Sequence, residues 1–364
     1  MLISKYEGIR IAGIAAAVPD NVRRAEEYYD QFGQNKVKNF VNVTGVKERR
    51  TALKNQTSSD LAYEAASRLL REKDVNIKEI GALVFVTQTP DYIFPASACV
   101  LHTRLGLSTD CMAFDVNLGC SAYVYGLNIV SSLMQSSNIT KALLLSGDTL
   151  DRYVSPEDRS AAMLMGDAGT ATLLEKGSKT GAQNSIIGSF RTDGSRFKAI
   201  IIPCGLNRNA DAPAEREKWG DGNIRSDHDF YMNGMDVLSF TITEVPELTN
   251  EFLSEINKSV DDYDFFILHQ ANEYIIKQVA ERIKAPIDKV PISLDRYGNT
   301  SGESIPLTLC DAFGKREQGN VNVLLCGFGV GLSWGVVSTL VNAEDILPII
   351  ETSEYFTGGS VPRD

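Results

Sequence analysis

The same rhythm of apolar runs and polar interruptions occurs twice along this chain, once on each side of its middle. In the N-terminal half "GALVFVTQTP" reads as a buried strand, a strand-to-helix junction follows around Cys120, and "KALLLSGDTL" reads as a further strand. In the C-terminal half "DYDFFILHQAN", "DRYGNTSGESIPLTLCDAF" and "NVLLCGFGVGLSWGVVSTL" follow in the same succession. Each β-rich run ends in polar or glycine residues, and a helical pattern follows the middle element. A unit that recurs in this way predicts an α/β fold built by internal duplication. At 364 residues the chain also exceeds what one hydrophobic core usually serves, which calls for two lobes. Functional groups in such sheets gather at the strand ends, and polar clusters fall there in both halves.

The cluster in the first half holds a cysteine. Ala113 to Val116 reads as the end of a buried strand, Asn117-Leu118-Gly119 interrupts it, and Val124, Leu127, Val130, Leu133 and Met134 then recur at helical spacing. Cys120 therefore begins a helix, where unpaired N–H groups favour an anion and are expected to lower the thiol pKa below its usual ~8.5. The bland alternative is a small core residue, the commonest fate of a free cysteine. In the second half "FFIL" runs into His269, which ends a strand and points into whatever the strand ends enclose; a satisfied core histidine is the competing reading. Asn299 follows "VPISLD" and Tyr297-Gly298, ahead of a helix, where an isolated asparagine would be a turn or cap residue. "GFGVGLSWG", Gly327 to Gly335, lacks the spacing and lysine of a phosphate loop. Its glycines would instead let backbone N–H groups approach a reacting carbonyl.

Composition removes several function classes. A formal charge of −11 and a pI near 5.0 argue against nucleic acid or an anionic membrane as the main partner. No apolar stretch approaches a membrane span, and "MLISKYEGIR" lacks a signal-peptide layout, so a cytoplasmic protein is expected. The six cysteines are scattered without a CxxC, and with three histidines a metal cluster would be hard to build; no metal is expected. Gly205 to Asp229 is polar and reads as a surface excursion, a lid or partner-contacting loop. Pro246 should kink or divide the helical stretch that follows it, and the tail "EYFTGGSVPRD" reads as loosely ordered.

Taken together, the cysteine, histidine, asparagine amide and glycine turn resemble the constellation of thiolase-fold condensing enzymes, most closely the β-ketoacyl-acyl carrier protein synthase III family. "DVNLGCSAYVYGL", "LHQAN", "YGNTSGESIPL" and "GFGVGLSWG" carry the resemblance, in the family's order, with "TGVKERR", "FPASACVL", "SGDTL", "DRSAAMLMGDAGTATLL" and "YMNGMDVLSF" in support. It extends from about Ile9 to about Leu340. The resemblance implies a five-layer αβαβα fold: a half over 1–180 with Cys120, a half over 181–345 with His269 and Asn299, and a tail over 346–364.

By that resemblance Cys120 would attack an acyl thioester, with the N–H groups of Cys120 and Val330 as the oxyanion site. His269 and Asn299 would hold the thioester oxygen of a malonyl unit as it decarboxylates, and the carbanion would attack acyl-Cys120. Phe94, Arg159, Phe328 and Gly329 would contact substrate, Phe94 by closing the partner subunit's acyl pocket in a homodimer. The partner would be an acyl carrier protein or acyl-coenzyme A, with no cofactor. Asn39 and Val43 stand where the family has the tryptophan and arginine that clamp the coenzyme A adenine. Tyr274, Ser239 and Glu281 stand where it has basic docking residues. These departures point toward a dedicated carrier and a specialised pathway, secondary-metabolite or polysaccharide, with a fatty-acid pathway open beside it. A same-fold acyltransferase that makes no carbon–carbon bond, and a non-catalytic acyl-binding scaffold, stay open as alternatives.

Overall fold

The computed structural model describes residues 1–177, 185–315 and 319–360. The N-terminal half runs through β1 (Ser4–Glu7), β2 (Ile9–Pro19), α1 (Gln34–Thr44), α2 (Ser58–Glu72), β3 (Ile80–Val86), α3 (Ser97–Arg104), β4 (Met112–Val116), α4 (Ala122–Gln135), β5 (Lys141–Asp148) and β6 (Ala168–Lys176). The C-terminal half follows with β7 (Ser185–Thr192), α5 (Gly234–Glu255), β8 (Phe265–Leu268), α6 (Glu273–Ile283), α7 (Ser304–Phe313), β9 (Asn320–Gly329), β10 (Ser333–Asn342) and β11 (Ile350–Thr352). Two large sheets result, ordered β11-β2-β6-β5-β3-β4 and β1-β7-β10-β9-β8, beside three two-stranded ones among the described residues.

The duplication shows in the strand pairing. β2, β6, β5 and β3 are joined by antiparallel, antiparallel and parallel ladders, and β7, β10, β9 and β8 repeat that series. β3 and β5 are buried along nearly their whole length, as continuous apolar runs in parallel strands require. α4 and α7 lie between the sheets, packing Val124, Leu127 and Val130 with Ile305, Leu309 and Phe313. α2 and α3 cover the outer face of the first sheet through Leu61, Leu69 and Leu101. α5 and α6 cover the second through Phe240, Phe252, Ile276 and Val279. The layers are therefore αβαβα.

Several expectations change. The second half has no counterpart of β4 among the described residues; "VPISLD" leads into a single helical turn, Leu294–Tyr297, so Asn299 does not sit at a strand end. β4 itself is an edge strand and only partly buried. The halves also exchange strands: β1 joins the second sheet through β7, and β11 joins the first through β2, so neither 1–180 nor the 346–364 tail is a separate unit. The expected division at 180/181 lies outside the described residues. So do residues 361–364. The tail is tied down, with the Phe356 N–H on Asp60 at 2.9 Å and the Arg104 guanidinium over the Phe356 ring.

α5 runs unbroken through Pro246. The 205–229 excursion is anchored at its far end. Arg225 is fully buried, bonded to Asp158 and Asp221, and placed against the Trp219 and Tyr231 rings. No described helix is long and apolar enough to cross a membrane.

Candidate active site

The pseudo-symmetric packing brings the starts of α4 and α7 together. A Cβ on Gly302 would lie 2.5 Å from the Ala122 Cβ and 2.8 Å from the Gly119 carbonyl, so only glycine allows this approach. Cys120 stands just before α4, whose first residues pack against the turn between β9 and β10. Ser333 Oγ is 2.7 Å from Ser121 Oγ and donates to the Val330 carbonyl at 2.8 Å, which pins that turn over the cysteine. A Cβ on Gly329 would come within 2.5 Å of the Cys120 Cβ. The Val330 N–H faces the sulfur.

Cys120, His269, Asn299, Phe328, Gly329 and Val330 line one cavity of about 460 Å³, together with Gln88, Ser301 and an apolar wall that includes Leu164, Phe230 and Met232. Phe230, just past the excursion, is held there by its N–H on the Tyr153 carbonyl at 2.7 Å. Tyr274 and Val43 also line the cavity, and both are largely exposed, which places them at its mouth.

The thiol departs from expectation. Burial pushes Cys120 up to about 11, and the charges of Asp148 and Glu303 act in the same direction; the Val330 N–H and the Ser301 hydroxyl only oppose them. The helix start does not leave a resting thiolate, because its favourable field is outweighed by desolvation in an apolar cavity. Burial likewise pulls His269 down to about 3, opposed by the Ser301 backbone, so its imidazole is neutral. The ring is held by Ser304 Oγ, 2.8 Å from Nδ1, and stands edge-on to Phe328. Ser304 Oγ also accepts the Gln270 N–H at 3.3 Å, which leaves its own hydrogen free to donate to Nδ1 and keep the proton on Nε2. Asn299 Oδ1 accepts the Ser301 N–H at 3.0 Å, and the Asn299 N–H donates to the Leu164 carbonyl at 2.8 Å. With its oxygen engaged, the side-chain nitrogen is the donor left for the cavity.

Other sequence candidates fall outside. Arg159 is exposed and absent from the cavity lining; its backbone N–H donates to Asn223 Oδ1. Asn39, Ser239 and Glu281 are exposed and do not line it either. Phe94 is 83% exposed on the loop before α3 and does not reach the cavity of its own chain. Residues that sequence reasoning passed over lie behind Cys120. Asp148 Oδ1 accepts the Gln88 N–H at 2.7 Å, and burial pushes this carboxyl up to about 6. Glu303 Oε1 accepts the Ser146 hydroxyl at 2.9 Å, and burial holds Glu303 well above the usual range. Asp148 and Glu303 stood inside the quoted "SGDTL" and "TSGESIPL". Carboxylates in otherwise apolar or small-residue runs were the available signal.

The family described as 3-oxoacyl-[acyl-carrier-protein (ACP)] synthase III matches residues 114–194, and its C-terminal part matches 253–340. These spans contain Cys120 in the first case and His269, Asn299 and the 327–335 turn in the second. A putative 3-oxoacyl-[acyl-carrier-protein] synthase 3 of Campylobacter jejuni is 32% identical over 94% of this chain and 96% of its own. The crystal structure of a 3-oxoacyl-(acyl-carrier protein) synthase from Burkholderia xenovorans superposes with a TM-score of 0.90 at 34% identity, covering 96% and 99% of the two chains. OleA of Xanthomonas campestris, at 21% identity and a TM-score of 0.76 over 92% and 98%, shares the fold.

Proposed function

Because the chain belongs to the 3-oxoacyl-[acyl-carrier-protein] synthase III family, and so is an acyltransferase of the β-ketoacyl synthase kind, we propose that Cys120, His269 and Asn299 divide its two half-reactions between them. In the first, Cys120 attacks the donor thioester and forms an acyl-enzyme; sulfur is both a good nucleophile and a good leaving group. The N–H groups of Cys120 and Val330 hold the tetrahedral oxyanion. In the second, a malonyl thioester loses CO₂ while His269 Nε2–H and the Asn299 amide hold its oxygen as an enolate. The carbanion then displaces Cys120 from the acyl group. Neutral donors suit this step, since an imidazolium would protonate the carbanion before it attacked. These groups suffice for thioester exchange and decarboxylation, so the reading calls for no cofactor.

One observation supports this division above others: two neutral donors, each with its other polar atom engaged, share a cavity with one cysteine. The relatives are named for the acyl-carrier protein, and a carrier-bound donor is the partner assigned to this chain by that likeness. Val43 and Tyr274 at the mouth offer neither a guanidinium for coenzyme A nor a cation for an acidic carrier. Coenzyme A thioesters should therefore be the weaker donors. The exposed Phe94 is assigned to the acyl pocket of a second copy.

The test is stepwise. Cys120→Ala should abolish the acyl adduct seen by intact mass after incubation with an acyl thioester. His269→Ala and Asn299→Ala should still acylate but lose CO₂ release from the malonyl thioester by ~10²–10³. An adduct on another cysteine, or normal decarboxylation in both donor variants, would overturn the assignment. Acylation without CO₂ release in the wild type would indicate transfer to a different nucleophile.

A further inference from the structure

With Nδ1 held by Ser304 and the proton kept on Nε2, the His269 ring offers no free lone pair, so the buried Cys120 thiol finds no acceptor for its proton in the triad. Around the cysteine, however, four buried polar atoms lack a hydrogen-bond partner among the described residues: Ser301 Oγ, Thr300 Oγ1, Asp148 Oδ2 and Glu303 Oε2. Ser301 Oγ is turned toward both the Cys120 thiol and the Asp148 carboxylate, short of full hydrogen-bond geometry with either. Its backbone sits at φ +61°, a left-handed conformation that a residue with a Cβ adopts only when its surroundings hold it there. Here the Asn299 side chain holds it, through the Ser301 N–H. Ser146 and Asp148 are two residues apart on β5 and share a face, so the Glu303 carboxyl on Ser146 lies beside Asp148.

We propose that Ser301 and Asp148 form a proton relay behind Cys120: as the sulfur attacks the donor thioester, its proton passes to Ser301 Oγ while the Ser301 hydroxyl proton passes to Asp148 Oδ2. This rests on the acyl-enzyme reading above. The S–C bond forms, the donor's C–S bond breaks, and the departing thiolate takes a proton from water at the cavity mouth. When the carbanion displaces Cys120 in the second half-reaction, the freed thiolate recovers its proton from Asp148 by the reverse path. One proton is consumed overall, as decarboxylation of a malonyl carboxylate requires. The transfer keeps the buried charge constant, one negative unit moving from oxygen to sulfur, which avoids creating a second ion in an apolar site.

The groups around the relay favour Asp148 as acceptor. Glu303, facing it from the turn before α7 and itself faced by Ser146, Asp148 and Asp167, is raised well above the usual carboxylate range by burial and by the Asp148 charge, which favours its protonated form over that of an acceptor. Asp148, held by the Gln88 N–H and the Thr87 and Thr89 hydroxyls after β3, titrates at about 6 and is ionised at neutral pH. Ser301 faces the reacting sulfur, and Asp148 positions the charge that draws the proton.

Acylation of Cys120 by the S-acetyl thioester of N-acetylcysteamine, and its alkylation by iodoacetamide, followed by mass from pH 5 to 10, test the relay. In the wild type both rates should rise through an inflection near 6, because the ionised Asp148 is the active form. Ser301→Ala should lose that inflection and fall ~10²-fold at pH 7, the usual scale of general-base help. Asp148→Asn should lose it too, and its thiol should titrate lower than the wild type's, since a nearby negative charge has gone. His269→Ala should keep the inflection. Unchanged profiles in both relay variants, a loss equal at every pH, or disappearance of the inflection in His269→Ala would each overturn the relay. Alkylation that follows the predicted profile while no acyl adduct ever forms would sink the condensing reading and leave the relay standing.

Discussion

Glu303 holds a carboxyl where charge is costly: fully buried, one oxygen on Ser146, the other without a partner, and Asp148 alongside. Its folded pKa lies above the ordinary carboxylate value of ~4.3, so above pH 4 the native state binds more protons here than the unfolded chain does. The stability tied to that proton is present at low pH and is lost as pH rises toward the folded pKa. Asp148, raised to about 6, and Asp167, raised to about 7, act in the same direction, while His269, lowered to about 3, acts oppositely below its unfolded value. Glu303→Gln keeps the acceptor for Ser146 and removes one of these contributions. Its melting temperature should exceed the wild type's increasingly from pH 5 to 8, by on the order of 3 °C per kcal/mol recovered. Scanning fluorimetry across that range checks it; an offset equal at all pH values would show that Glu303 is ionised or irrelevant. The contrast with the triad explains what the sequence could reveal. Cys120, His269 and Asn299 interrupt apolar patterns with residue types suited to chemistry. Asp148 and Glu303 showed in the sequence only as carboxylates inside apolar or small-residue runs; the burial that sets their behaviour comes from the fold.

Between elements, the site depends on two helix starts meeting across the middle layer. The continuous apolar runs and the helical spacing identified β3, β5, β8 and α4 and the duplication that relates the halves. They misjudged "VPISLD", whose apolar residues suit a strand but which has no place in the second sheet. Pro246 was expected to break α5; burial of Val245, Pro246 and Leu248 against the second sheet offsets the missing N–H and holds the helix together. Gly302 drew no reading from the sequence, because close approach between two helix starts separated by 180 positions leaves no local trace. Gly302→Ala should therefore push the start of α7 away from Ala122 and the Gly119 carbonyl, at a cost of about 1–3 kcal/mol in stability. Because Gly119 precedes the nucleophile, the acylation rate should drop with it. The double variant with Ala122→Gly should recover part of both, a coupling readable in a double-mutant cycle from melts and acylation rates. Additive losses would show that the two helix starts do not press on each other.

Across the whole molecule, the exposed apolar surface bears on the homodimer proposed above. Ile93 and Phe94 are 80% and 83% exposed, Met112 on the edge strand β4 is 45% exposed, and β4 leaves one side of its ladder unpaired. Apolar groups next to an open sheet edge mark an interaction surface, and a two-fold axis lets one patch cover its own copy. The net charge of −11 works against close approach of two copies, which puts more of the association on apolar contact. Fully burying a phenylalanine side chain is worth about 1.5–3 kcal/mol, so two Phe94 rings supply roughly 3–6 kcal/mol between them. Phe94→Asp replaces that gain with a charge that must be desolvated. Light scattering at micromolar concentration should give twice 39.9 kDa for the wild type and a single chain for the variant. The variant should also acylate Cys120 more slowly with longer acyl thioesters than with acetyl, because the wall proposed for Phe94 in its neighbour's pocket would be gone. A wild-type monomer of full activity, or a variant dimer with an unchanged acyl-length profile, would place Phe94 outside both roles and leave the Cys120 cavity to a single chain.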